Sequence, residues 1–480
     1  MPHTKKPKSR RITWSFAVVI AVALLLAFAV AISSPSPRVT ATSGVGYRVL
    51  QYDGGPTHTY LINNHTPSIN LSVGGAIYGT PTIYDGVIYV TTMGNLTELQ
   101  DSRYDLTRGT VSAISLDTGA TLWRDTFPNQ IMTQPITAGN LIIVGMSNNG
   151  EVPSKYYNNI EGMIGIDART GMVVWNVSNG SNSPTGPDLT TPAYYKGLII
   201  EPGMGTAVIY NASTGAVVNT IVTGIPDILS SPLMEGGIAY FGAGYATAYG
   251  FNSFSKNLSG VPMNITSDER FFAVNVTAGK IVWQRRFVNA GTGLNDACAA
   301  FANGTIVTAY LYQSDYTDPI VVGLNSSTGN VLWQINETRY IDTNKVVNSS
   351  AAESYGLNYT QNSISPITVW NGTAYLDSNY IGVLFAVNIS RGKVLWATQT
   401  GQDESNPNIF FGHYLITVND GGFLMIINST NGQIVNESYI GMPHLAAEPI
   451  ITQNYAILAG MNGRIISLPL KALIIPNTNG

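Results

Sequence analysis

A single cysteine, Cys298, excludes an intrachain disulfide anywhere in this 480-residue chain. Charge is also scarce: Asp, Glu, Lys and Arg make up 11% of the residues, against ~25% in ordinary soluble proteins. The formal net charge of −4 leaves no excess to steer the chain to nucleic acid or to an anionic membrane surface. His3, His58, His65, His413 and His444 stand apart, at no spacing that a zinc site uses. Cys298 lies in the apolar stretch ACAAFANG and reads as a buried small hydrophobe rather than a nucleophile. Glycine-rich pieces such as GMGTAVIY follow turns and open no helix, so nothing supports a phosphate cradle.

What the chain does have begins with one long apolar run. Residues 1–11 carry Lys5, Lys6, Lys8, Arg10 and Arg11 and read as a cytoplasmic basic tail. Residues 12–33 follow without a charge. They are long enough for a helix rising 1.5 Å per residue to cross a hydrocarbon core of ~30 Å. Length favours an uncleaved transmembrane anchor, since signal peptides have apolar cores of only about 7–15 residues. Ala29-Val30-Ala31 keeps a cleaved signal peptide open, and Ser9-Arg10-Arg11 resembles a twin-arginine signal. Residues 34–46 are Pro-, Ser-, Thr- and Gly-containing and read as a linker. Either reading of 12–33 places residues 47–480 outside the cytoplasm, and the anchor reading puts them on a cell membrane crossed once.

The rest of the chain repeats. SAISLDTGATLW (112–123) returns as IGIDARTGMVVW (164–175), VIYNASTGAVVN (208–219) and FAVNVTAGKIVW (272–283). VGLNSSTGNVLW (322–333), FAVNISRGKVLW (385–396) and MIINSTNGQIVN (425–436) complete the set. Each copy is an alternating strand, an Asp or Asn that bonds the coming turn, a glycine that supplies the turn, and a second strand. Before each lies another strand–turn–strand, such as TPTIYDGVIYV (80–90) and TPAYYKGLII (191–200). A self-similar unit of about 50 residues signals stacked or radial repeats.

The A-x-D-x-x-T-G-x-x-x-W pattern resembles the tryptophan-docking repeat of PQQ-type β-propellers, the architecture of quinoprotein dehydrogenases and of BamB. The resemblance spans about residues 47–470 and implies a β-propeller; with eight repeat units counted and the apolar run 12–33 before them, the chain reads as an all-β, eight-bladed β-propeller preceded by one N-terminal transmembrane helix. Trp123, Trp175, Trp283, Trp333 and Trp396 are the expected docking residues. Asn219 and Asn436 replace the tryptophan in two blades, so those seams are expected to be looser. Only ten residues follow Leu470, so the last blade lacks an outer strand of its own. SINLSV (68–73) is expected to supply it by pairing with 463–470, and 47–61 to lie across a face.

Propeller topology puts the A–B and C–D turns on one face, and the B–C and blade-to-blade connections on the other. The long insertions, at 93–109, 145–162, 243–269, 310–319 and 337–361, all belong to the second face. Their Tyr- and Asn-rich contents suit recognition of a protein or a glycan. The chain therefore reads as a non-catalytic binding or scaffolding module, with no cofactor predicted.

Asn-x-Ser/Thr triplets outnumber what composition predicts. Those at Asn64, Asn70, Asn95, Asn257, Asn264, Asn303 and Asn371 lie outside the C–D turns and are glycosylation candidates. Abundant sequons without disulfides fit an archaeal cell surface. Asp188, Asp227, Asp296, Asp403, Glu404 and Glu448 fall at or just before inner strands. There converging carboxylates could hold a hard cation such as calcium. The alternative reading is a PQQ- and calcium-dependent dehydrogenase. One cysteine makes the vicinal disulfide of many such enzymes impossible, and no segment places their metal ligands recognisably.

Overall fold

The computed structural model describes residues 61–62, 69–97, 103–105, 107–146, 162–177, 190–203, 205–224, 230–243, 269–287, 298–312, 318–336, 340, 366–378, 382–401, 409–419, 421–442, 447–452 and 454–474. Eight sheets form the wheel. Seven are antiparallel four-stranded blades with strands A to D in sequence order, spanning 82–127, 136–176, 193–222, 233–287, 300–336, 368–399 and 409–439. The eighth combines 450–469 with two strands from the amino-terminal side. Residues 12–33, the expected anchor, lie outside the described residues. Among the described residues no helix is long and apolar enough to cross a membrane.

Burial follows position in the blade. Strand B of blade 2, Leu141–Met146, is buried at every residue because neighbouring blades cover both faces of the sheet. The outer strand of blade 4, Lys280–Phe287, alternates exposed and covered residues, as an edge with one dry face must. A–B turns at Asp85-Gly86, Lys196-Gly197, Gly236-Gly237, Asn303-Gly304 and Asn371-Gly372 have positive φ at both corners, the two-residue hairpin turn whose twist matches the strands.

One contact is repeated from seam to seam. The indole N–H of Trp123 donates to the Ala168 carbonyl of the next blade at 2.9 Å, and that of Trp175 to Ala212 at 3.0 Å. Trp283 reaches Ser326 at 2.8 Å, Trp333 reaches Ile389 at 2.6 Å, and Trp396 reaches Ser429 at 3.0 Å. The ring lies over the turn glycine of that next blade. A Cβ on Gly171, Gly215, Gly329, Gly392 or Gly432 would fall within 2.9 Å of the docked indole. Tyr89, Tyr240 and Tyr375, on strand B, send their hydroxyls to the same carbonyls that accept Trp123, Trp283 and Trp396. Burial raises all three phenol pKa values, so each stays a donor.

Beneath each docked indole the cross-strand partner is small: Ala113, Gly165, Ala273, Gly323 and Ala386 face the five tryptophans. Where Asn219 and Asn436 stand instead, the partner is Ile209 or Ile426. The exchange conserves volume within the blade. It also corrects the expectation of loose seams. Asn219 Nδ2 donates to the Gly279 carbonyl of blade 4 at 2.7 Å, keeping the bridge with an amide in place of an indole. Behind it the blade 3–4 core holds Phe241 and Phe272, fully buried with ring centroids 5.5 Å apart. Asn436 Nδ2 donates at 2.8 Å to the Leu473 carbonyl of α1 (Leu470–Ile474), a short helix that occupies the place of a C–D turn in blade 8.

The ring closes as expected at its rim. β2 (Asn70–Ser72) pairs antiparallel with Arg464–Pro469, with Leu71 opposite Ile465, flanked by Ser467 N–H to Ile69 carbonyl and Val73 N–H to Gly463 carbonyl, both 2.9 Å. Leu71 then takes the place of a tryptophan, its Cδ2 3.7 Å from where a Cβ on Gly119 of blade 1 would sit. A second strand from the same segment was not anticipated. β1 (Leu61–Ile62) pairs in parallel with strand A of blade 8, Leu61 beside Ile451 and Ile62 beside Thr452. Blade 8 is thus held at its inner edge as well as its outer edge. The rest of 47–61 lies outside the described residues.

Candidate functional site

Inner strands of neighbouring blades adjoin around the hub, and the residues that lead into them form a polar collar on the loop face. Proline follows each of Thr80, Gln134, Thr191, Ser231 and Glu448 in the sequence. Gln134 N–H donates to Thr191 Oγ1 at 3.0 Å, and Thr191 N–H to Ser231 Oγ at 2.9 Å. Glu448 N–H donates to Thr80 Oγ1 at 2.9 Å, which carries the collar across the closure from blade 8 to blade 1. A proline at the next position gives up no ladder donor there. All five of these residues are buried.

Three carboxylates are also buried near this end of the inner strands: Glu448 and, unexpected from sequence, Glu201 and Asp377 on the B strands of blades 3 and 6. A Glu201 oxygen lies 3.8 Å from where a Cβ on Gly145 would sit, so it faces blade 2 beside Thr133, whose hydroxyl bonds Gly145 N–H at 2.9 Å. The signal in sequence was a lone acid inside each apolar run, LIIEPG and TAYLDS. Asp188, Asp227, Asp296, Asp403 and Glu404 lie outside the described residues. Among the described residues no group of three or more His, Cys, Asp or Glu could hold a metal ion. Cys298 is buried, as its apolar surroundings suggested.

The two faces differ in relief. The turn face ends in two-residue hairpins and tight Asx turns such as that at Asn325, whose Oδ1 accepts from Ser327 and Thr328 N–H at 3.0 Å. On the loop face, blade 1 raises a separate hairpin between strands B and C, with Asn95 opposite Asp105 and Thr97 opposite Arg103. Blade 5 extends strands B and C to eight residues each, ending at the Tyr312–Asp318 pair. The other long connections lie mostly outside the described residues.

Of the glycosylation candidates, Asn303 and Asn371 are exposed at A–B turns. Asn70 is exposed in β2, its Oδ1 3.4 Å from Arg464 Nη2, and Asn95 lies in the blade 1 loop-face hairpin. Asn64, Asn257 and Asn264 lie outside the described residues.

The family model for outer membrane protein assembly factor BamB matches residues 73–259 and 273–472. BamB from Moraxella catarrhalis superposes with a TM-score of 0.56 at 16% identity, covering 85% of this chain and 99% of that one. Quinohemoprotein alcohol dehydrogenase from Comamonas testosteroni gives 0.60 at 13% identity, covering 87% of this chain and 77% of that one. At these identities the likeness shows the fold alone. Tetrathionate hydrolase from Acidianus ambivalens is 28% identical over 118 residues, 22% of this chain and 22% of that protein's length.

Proposed function

Because the chain belongs to the family of the outer membrane protein assembly factor BamB, we propose that it is a binding scaffold held at a membrane by residues 12–33, with its propeller outside the cytoplasm. Its loop face receives a protein or glycan partner. The observation that carries this reading is the asymmetry of relief. Extra strand length rises from one face, at Asn95–Asp105 and at Tyr312–Asp318, while the other face stays flat. Backbone beyond what a connection needs is where contact residues usually sit.

The test is photo-crosslinking in native membranes. A crosslinking side chain at Leu96 or Tyr104 on the loop-face hairpin captures a partner, and one at Lys196 on the turn face does not. Equal capture from both positions would remove the basis for the assignment.

A second reading has its own support in Glu201, Asp377 and Glu448. Buried carboxylates are costly and often serve chemistry, and the local similarity to tetrathionate hydrolase suggests a reaction on a sulfur oxyanion. The purified chain is assayed for turnover of tetrathionate, and for the absorption change that PQQ with calcium would give. Tetrathionate turnover abolished by E448Q would favour an enzyme over a scaffold.

A further inference from the structure

We propose that Asn303 and Asn371 are N-glycosylation sites, each carrying a glycan on its side-chain nitrogen. This rests on the reading that the propeller lies outside the cytoplasm. Asn-Gly-Thr occurs at both places, 303–305 and 371–373. Each asparagine is the first corner of a two-residue A–B turn, with φ of 50° and 48°, and each is exposed.

The repeat does not explain the triplets. Asp85, Lys196 and Gly236 fill the same corner in blades 1, 3 and 4 with φ of 52°, 46° and 58°, so the turn needs no asparagine. Strand B opens on Val87, Leu141, Leu198, Ile238, Tyr414 and Tyr455 in the other six blades. It opens on threonine only in blades 5 and 6, where Asn-Gly precedes it. Thr373 does bond the Tyr375 phenol. Tyr89 and Tyr240 hold the same place after Val87 and Ile238 and dock without such a partner.

In the C–D turns at Asn211 and Asn388 local structure accounts for the motif. Ser213 Oγ donates to Asn211 Oδ1 at 2.7 Å and Ser390 Oγ to Asn388 Oδ1 at 2.9 Å. Thr170 Oγ1 makes the same bond to Asp167 at 2.7 Å in a turn that is no sequon. The hydroxyl in these turns is a turn-stabilising group. One further triplet, Asn436-Glu437-Ser438, is excluded by the fold. Its Nδ2 is the donor to the Leu473 carbonyl that joins blade 7 to α1, and a sugar on that nitrogen would displace the helix.

The transfer uses a lipid-linked oligosaccharide activated through phosphate. The asparagine Nδ2 attacks the anomeric carbon and the C–N bond forms. The bond from that carbon to the phosphate oxygen breaks, and the lipid phosphate departs with the electron pair. The amide loses one proton to the transferase's base. No oxidant or reductant is needed.

The test takes the full chain from its native membranes after surface labelling with a membrane-impermeant amine reagent, followed by peptide mass mapping. Labelled protein whose peptides spanning Asn303 and Asn371 carry saccharide mass, with the Asn436 peptide bare, is the expected result. T305V and T373V, which place there the kind of residue found in blade 1, should each remove one glycan and leave a folded protein with a cooperative melting transition. Labelled protein with both peptides at bare mass overturns the proposal and leaves the export reading standing. Unlabelled protein with bare peptides overturns both.

Discussion

The exchange of a docked tryptophan for asparagine above a larger neighbour makes a prediction that can be worked in energies. In blade 3, Asn219 sits opposite Ile209, which is fully buried in the core shared with blade 4. Ile209→Ala alone removes buried methylenes and leaves a cavity, costing about 2–5 kcal/mol. Asn219→Trp alone drives an indole onto Ile209, costing about 1–3 kcal/mol for overpacking. It also loses the amide bond to Gly279, worth about 1 kcal/mol. If the two sites were independent, the double variant would lose the sum. In the double variant, however, the indole enters the space that alanine vacates, and the receiving glycine is already in place at Gly279 with φ of 62°. The expectation is a favourable coupling of about 2–3 kcal/mol, leaving the double variant about as stable as Ile209→Ala and well above the sum of the two single losses. The assay is guanidinium unfolding of all four proteins, comparing midpoints at unchanged m. Additivity within about 0.5 kcal/mol would refute the reasoning.

Two further outcomes follow from the same contacts. Gly304 and Gly392 both have positive φ, but a Cβ meets nothing within 4 Å at Gly304 and falls 2.3 Å from Trp333 at Gly392. Gly304→Ala should cost about 1 kcal/mol of backbone strain, and Gly392→Ala several times more, read from the same unfolding curves. Asp167 has its pKa lowered chiefly by the hydroxyl and then the backbone N–H of Thr170. Its ionised form therefore adds stability above the ordinary carboxylate pKa, and this is lost as pH falls through the lowered value. Asp167→Asn, matching Asn211 and Asn325 in other blades, should flatten the loss of melting temperature in that acidic range. Identical pH profiles for the two proteins would show that the turn carboxylate plays no part.

Much of this fold was legible because it repeats. Each Trp, each turn glycine and the missing outer strand of blade 8 could be placed by comparing copies, and SINLSV has the alternation of an outer strand. The role of Asn219 was not legible as a bond, because nothing local says that its amide reaches Gly279 in the next blade. The small residue ten positions before each tryptophan, and the isoleucine ten before each asparagine, were visible in the sequence. They gain meaning only once the strands are known to pair there. β1 belongs to no repeat, so periodicity could not place it against the inner strand of blade 8. Glu201 and Asp377 disappeared into apolar runs for a related reason: a pattern read for its hydrophobic alternation passes over a single acid. The working face was readable only as surplus length, since loops outside the repeat have no second copy to be compared with.

The closure of the wheel by its own amino-terminal segment is tested most directly by a covalent bond across it. Ser72 and Arg464 stand directly opposite in the antiparallel pair. They are not hydrogen-bonded to each other's backbone, a geometry with Cα atoms about 4.5 Å apart, within reach of a disulfide. In the chain carrying S72C and R464C, where the native Cys298 is buried, mild oxidation without denaturant should form this bond. The guanidinium midpoint should then rise, because a loop of nearly the whole propeller is closed in the unfolded state. A folded protein whose two new thiols remain free under those conditions would contradict the closure.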